Sequence, residues 1–301
     1  MDNLMEKWLG MIGQPAEYRY QPSFELIKRV VHAEFDGELY RQANGPGTFQ
    51  RTLLALPKNL SGRVPAVAVP FYFPEAMLGF EPDTGELLPS YSGIEMMLHL
   101  LRRGFAVISA DAYHLTYLAS KRERNDFTRW HEAGAALLKD QPGWTGIGKL
   151  IADTRLLVDV LCQDPRIDSE RIGIAGHSLG GKMAFYAGCL DTRVKAILTS
   201  DFGFCWEQSN WNDVWYWGDK IKQLKDAGMD HSQLLSLAAA KPFYLIAGQY
   251  DNQDSFDLMQ KATGYEKSPE RLGFDNHATG HRPPPQALEQ GYQFLEKWIG
   301  G

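Results

Sequence analysis

The chain has 301 residues and a net charge of −6, from 31 basic and 37 acidic side chains, with 44% apolar and 23% charged residues. That balance fits a soluble globular α/β unit with a substantial core and excludes collagen-like or disordered classes. No basic patch is present to recruit nucleic acid or an anionic membrane, and no run of 18 apolar residues could span one.

Cys162, Cys189 and Cys205 cannot all pair, and none has metal-ligand spacing, so they read as free thiols in a reducing compartment. Neither a cofactor nor a metal is expected. The N-terminal Met1–Trp8 stretch carries acids early and lacks the apolar core of a secretory signal, which points to the cytoplasm. Oligomeric state is open, and a homo-oligomer is compatible with the composition.

In chain order, residues 1–20 read as an amphipathic helix and a polar approach. Short β-rich runs follow at 26–31, 38–41 and 49–56, separated by Asp36-Gly37 and Asn44-Gly45-Pro46-Gly47. They predict an antiparallel edge ahead of the main sheet. From Pro65 the rhythm becomes strand–helix–strand. Ala66–Val69 is a buried-strand run, 94–101 is helical and stops near Gly104, and Phe105–Asp111 is the next strand. A helix over about 148–162 leads to a strand at 171–175. Further strands are expected at 194–198 and 243–247, and a last helix at about 285–298. Such alternation gives a mostly parallel sheet with helices on both faces, and chemistry outside the strands' carboxyl ends. The whole, 1–301, reads as one domain with an N-terminal helix and edge strands over 1–57.

Between strand 171–175 and the next helical run lies Gly176-His177-Ser178-Leu179-Gly180, a G-x-S-x-G turn. A serine held at such a bend projects its hydroxyl into a cleft. Residues two before and two after approach too closely for a Cβ, which only glycine lacks. Ser178 is the expected nucleophile.

A serine hydroxyl needs a base, and the base an orienting carboxylate. Chain order favours Asp251, just past strand 243–247, over Asp201, which follows the preceding strand, and over Asp254. His281, ahead of the last helix, is preferred to His277, while His231 reads as a helix start beside a capping Asp230. His114, after strand 105–111, reads equally as pocket lining or plain loop. For the oxyanion, one N–H should come from Leu179. The other should come from the loop Pro70-Phe71-Tyr72-Phe73-Pro74, whose prolines have no N–H, leaving Tyr72 or Phe73.

These stretches, with Asp153-Thr154-Arg155, Asp168–Gly181 and Gly280-His281, resemble an α/β-hydrolase of the dienelactone-hydrolase and acetyl-xylan-esterase-like group. The resemblance runs from about residue 50 to the end. It implies the α/β-hydrolase fold and a serine esterase triad of Ser178, Asp251 and His281. Two departures stand out: dienelactone hydrolases proper use cysteine where this chain has Ser178, and the family's His-Gly in the oxyanion loop is replaced by Phe71-Tyr72.

Residues 206–217 hold four of the eight tryptophans and mark a short aromatic-rich cap insertion over 202–230. Flat aromatic faces stack on sugars and wall acyl pockets, although aromatics dominate core burial as well. Phe71, His177, Trp206, Trp211 and Trp215 are the expected pocket residues. The expected activity is hydrolysis of short-chain acyl esters, such as acetylated carbohydrates, through an acyl-enzyme. A serine peptidase and a non-catalytic binding module on the same fold are the alternatives.

Overall fold

The structure, a computed structural model, describes residues 2–13, 24–45, 47–58 and 60–300. The end of the polar approach and Pro46 of the second turn lie outside the described residues.

Nine strands form one sheet: β1 (Phe24–Val31), β2 (Phe35–Gly45), β3 (Thr48–Pro57), β4 (Val64–Ala68), β5 (Ala106–Ala110), β6 (Ile167–His177), β7 (Ala196–Ser200), β8 (Phe243–Ala247) and β9 (Leu272–Asn276). Their order is β1-β2-β3-β5-β4-β6-β7-β8-β9. β1, β2 and β3 form an antiparallel meander that joins β5 antiparallel, and every pairing from β5 to β9 is parallel. The expected antiparallel edge and parallel centre are both present.

The central strands are apolar because both faces are covered. β5, β7 and β8 are buried at every position, as parallel strands under two helical layers require. The helices are α1 (Asp2–Ile12), α2 (Pro74–Leu78), α3 (Met96–Leu101), α4 (Tyr113–Thr116), α5 (Phe127–Asp140), α6 (Gly146–Gln163), α7 (Leu179–Leu190), α8 (Lys220–Asp226), α9 (His231–Leu237), α10 (Gln253–Met259) and α11 (Pro285–Ile299). Gly188 of α7 packs on Ile197, and Gly291 of α11 packs on the next residue, Leu198. Neighbours along a strand face opposite ways, so α7 and α11 cover opposite faces of the sheet. No helix among the described residues is long and apolar enough to cross a membrane.

The short helices α2, α4, α8 and α10 went unmarked in the sequence, as did two elements that matter for the site. β9, half-buried and holding Gly273, Asp275 and Asn276, becomes a strand only through its pairing with β8. Helix α5 is amphipathic, burying Trp130, Ala133, Gly134 and Leu137, and Asp126 starts it by accepting the Thr128 N–H. Because β4 to β8 run parallel, their carboxyl ends meet at one edge. That edge gathers the turns following residues 68, 110, 177, 200 and 247.

Candidate active site

Ser178 stands between the end of β6 and the first turn of α7 with φ 55° and ψ −117°. A non-glycine residue there costs about 1–3 kcal/mol and persists only when the surroundings impose it. They do so by closeness. A Cβ on Gly176 would overlap the Gly180 carbonyl, and one on Gly180 would overlap the Pro70 carbonyl. The Ser178 N–H is spent on the Ser200 carbonyl at 2.8 Å, which pins the turn to β7.

His281 lies in the loop before α11, and its Nδ1 is 2.6 Å from Asp201 Oδ2. A carboxylate beside it can only accept, so Nδ1 carries the proton and donates, leaving Nε2 free as the basic nitrogen. The Asp201 carboxylate is fully buried. Burial pushes its pKa up, but the His281 bond and the N–H groups of Asp251 and Tyr250 outweigh this and hold it below its ordinary value. Its Oδ1 also accepts the Gly248 N–H at 3.1 Å.

The expectation of Asp251 as the partner of histidine is therefore corrected. Asp251 points away from His281 into the turn after β7. There it accepts the N–H groups of Phe202, Gly203 and Phe204 at 2.7, 2.9 and 2.6 Å, and the Ser255 hydroxyl at 2.8 Å. The two acids brace one another's loops: Asp201 bonds to the backbone at 248–251, and Asp251 to the backbone at 202–204. Asp254 is exposed in the first turn of α10. His277 engages Thr279 through Nδ1 at 2.7 Å. His231 is buried, takes the Tyr186 hydroxyl at Nε2 and bonds the Phe204 carbonyl through Nδ1, both at 2.6 Å.

His177 is buried behind His281, with ring centroids 4.5 Å apart, and its Nδ1 is 3.1 Å from Ser200 Oγ. Burial first, then the neighbouring His281, lowers its pKa to about 3, so it stays neutral. It supports the base and does not line the cavity. Phe71 is likewise buried, its ring 4.3 Å from that of Tyr72. His114, also buried, backs Tyr72 with 6.1 Å between ring centroids.

Tyr72 faces the cavity beside Ser178. Phe73 is buried at the start of α2 under the Arg124 guanidinium, 4.3 Å from its ring centre. Among the described residues, the N–H groups of Leu179, Tyr72 and Phe73 all donate to no other protein group, and of the two loop residues it is Tyr72 that lines the cavity. The loop itself is clamped. Ala112 N–H bonds the Tyr72 carbonyl at 2.9 Å. Arg51 pairs through both edges of its guanidinium with Asp111, next to Ala112, and with Glu75, in the first turn of α2. Arg51 is partly exposed while Glu75 is buried, so removing the guanidinium leaves a buried carboxylate unpaired, at up to about 3 kcal/mol. Arg51→Ala is expected to lower thermal stability and to cut turnover about tenfold by loosening Tyr72, with Arg51→Lys restoring part of both. Unchanged turnover at a temperature where the variant is folded would show the clamp to be structural only.

Ser178 and His281 open into one cavity of about 580 Å³, whose walls include Tyr72, Trp130, Tyr216 and Tyr250. Lys182, one turn into α7, is 2% exposed on its floor. Its Nζ donates to the Phe202 carbonyl at 2.8 Å and to Ser209 Oγ at 2.6 Å, and lies 4.3 Å from the Trp211 ring centre. Among the described residues no carboxylate comes within ion-pair distance of it. Burial lowers its pKa from 10.5 to about 7, only partly offset by the charges of Asp251, Asp213 and Asp201. Between about pH 7 and 10 the unfolded chain holds this proton and the folded chain does not, so stability rises with pH across that window. Lys182→Met is expected to raise the Tm at pH 7 and to flatten that rise. A lower Tm in the variant would mean that the two hydrogen bonds outweigh burial.

The cap tryptophans require a second correction. Trp206, Trp211, Trp215 and Trp217 are 8%, 0%, 4% and 3% exposed, and none lines the cavity. Trp206 and Trp211 spend their indole N–H groups inward, on the Met229 and Gly203 carbonyls, both at 2.8 Å. Their large apolar area is worth more in the core than at a wall. The cap's polar residues Gln208, Ser209, Asn210 and Asp213 face the cavity instead.

A profile of the dienelactone hydrolase family matches residues 51–263. A stretch aligned over 115 residues at 28% identity matches 4-O-methyl-glucuronoyl methylesterase 1 of Sodiomyces alcalophilus, covering 30% of this chain. It spans only 23% of that relative's length. Among solved structures, a glucuronoyl esterase from Solibacter usitatus superposes with a TM-score of 0.76 at 15% identity, over 98% of this chain and 91% of the other. A glucuronoyl esterase from Teredinibacter turnerae gives 0.67 at 16% identity, over 95% and 80%. Both likenesses speak for the fold.

Proposed function

Since the chain belongs to the dienelactone hydrolase family and has the fold of esterase-type hydrolases, we propose that it is a serine carboxylic-ester hydrolase acting on carbohydrate esters. The reading rests on one observation above the rest. The strained Ser178 and His281, the latter held by the buried Asp201, share a cavity lined by both aromatic and hydrogen-bonding side chains.

In this reading Ser178 Oγ attacks the ester carbonyl while His281 Nε2 takes its proton. The buried Asp201 stabilises the resulting imidazolium. The oxyanion forms between the N–H groups of Leu179 and Tyr72. His281 then returns the proton to the departing alcohol oxygen, and a water, deprotonated by the same nitrogen, releases the acid and regenerates Ser178.

The cavity argues for the kind of acyl group. An acetyl group would fill little of the 580 Å³, and an alkyl chain would strip water from Asn210 and Asp213 without replacing its hydrogen bonds. A hydroxylated ring would satisfy them. A sugar acid as the acyl part, as in the glucuronoyl esters named for the related proteins, therefore ranks ahead of an acetylated saccharide.

The test is a fluorophosphonate label followed by an ester panel. Ser178 should be the labelled residue. Methyl glucuronate should be turned over with a higher kcat/KM than p-nitrophenyl acetate or octanoate. Preference for octanoate would sink the carbohydrate reading, and absence of labelling would sink the serine reading. Preference for acetylated xylo-oligosaccharides would reverse the order of the two sugar-ester classes.

A further inference from the structure

With the cap tryptophans turned inward, another aromatic takes the exposed position on the cavity wall. Phe127 is the first residue of α5 and keeps 60% of its surface exposed. Of the large apolar side chains exposed among the described residues, it alone lines the cavity that holds Ser178.

Its orientation is set from behind. The ring stacks on Trp215 with centroids 5.9 Å apart and planes 20° apart, and meets Trp130 edge-on at 4.7 Å. Both tryptophans are buried, so the ring is held against a rigid backing with its outer side in water. Leaving that much phenyl surface wet forgoes the burial free energy that covering it would supply. The same rim carries Glu207, Gln208 and Asn210 as hydrogen-bonding groups. A flat apolar face beside convergent polar groups matches a pyranose ring, whose C–H face is apolar and whose rim is hydroxyl.

We propose that Phe127 is the platform of a second sugar subsite, taking a neutral pyranose one unit away from the sugar that carries the ester. This rests on the function proposed above. The inner sugar lies against Lys182 and the outer one stacks on Phe127, so the preferred substrate is an oligosaccharide and not a lone sugar ester.

The experiment compares methyl glucuronate with the methyl ester of glucuronic acid carried on xylotriose. For Phe127→Ala, KM for the longer ester should rise about tenfold, in line with loss of one aromatic contact. kcat/KM for methyl glucuronate should stay within twofold, and Phe127→Trp should restore KM where Phe127→Leu does not. An equal change on both esters, or no change on either, overturns the subsite.

A second arm does not depend on turnover. Xylotetraose is titrated calorimetrically into the wild type and Phe127→Ala. Weaker binding in the variant supports the platform, whereas equal affinity or no binding to the wild type overturns it. Absent hydrolysis with Phe127-dependent xylotetraose binding would instead fault the proposed reaction while leaving the subsite standing.

Discussion

Ser178→Ala is expected to reduce kcat on methyl glucuronate by roughly 10³-fold to 10⁶-fold with little change in KM, as when a nucleophile is removed from a complete serine triad. The residual rate would come from the oxyanion donors and the cavity. Ser178→Gly separates chemistry from strain. Glycine reaches φ 55° without a Cβ penalty, so the inactive glycine variant should be more stable than wild type by about 1–2 kcal/mol. Thermal denaturation beside initial rates reads both. An active alanine variant would end the serine mechanism, and an unstabilised glycine variant would remove the claim that the elbow stores strain.

Asp201→Asn should lower kcat by about 10⁴-fold, because an amide beside Nδ1 imposes the wrong tautomer on His281 and offers no charge to the imidazolium. Asp251→Asn should act differently. Three N–H groups converge on that carboxylate. An amide would set its own N–H donors against some of them and leave buried donors unpaired, at about 1–3 kcal/mol each. The expected result is a lower Tm with kcat within about tenfold of wild type at temperatures where the variant is folded. If Asp251→Asn abolished turnover and Asp201→Asn spared it, the acid would revert to the position that chain order favoured.

The contrast between these two acids shows where sequence reasoning ran out. Each follows a buried apolar strand at the same edge of the sheet, Asp201 directly and Asp251 after a short turn, and each follows the serine in the chain. Nothing local separates them. Their difference lies in direction: Asp201 faces His281, and Asp251 faces the N–H groups of the neighbouring turn. The cap tryptophans fail for a related reason. A cluster of indoles in an insertion announces a large apolar area without saying which side of the segment buries it. Phe127 carried no signal, since a phenylalanine at the start of an amphipathic helix is unremarkable until its exposure is known.

What the sequence determined by itself were the features set by short-range sterics and periodicity. These are the glycine-flanked turn at Ser178, the runs of buried strand, the final helix with His281 just before it, and the parallel sheet that alternating elements imply. Each depends on residues within a few positions of one another, where backbone geometry and side-chain pattern are enough. Tertiary structure alone decided which carboxylate meets the imidazole, which aromatics face water, and how Arg51 and Lys182 meet partners far away in the chain. Those outcomes depend on the direction of side chains brought together from separate strands, and no local pattern encodes that direction.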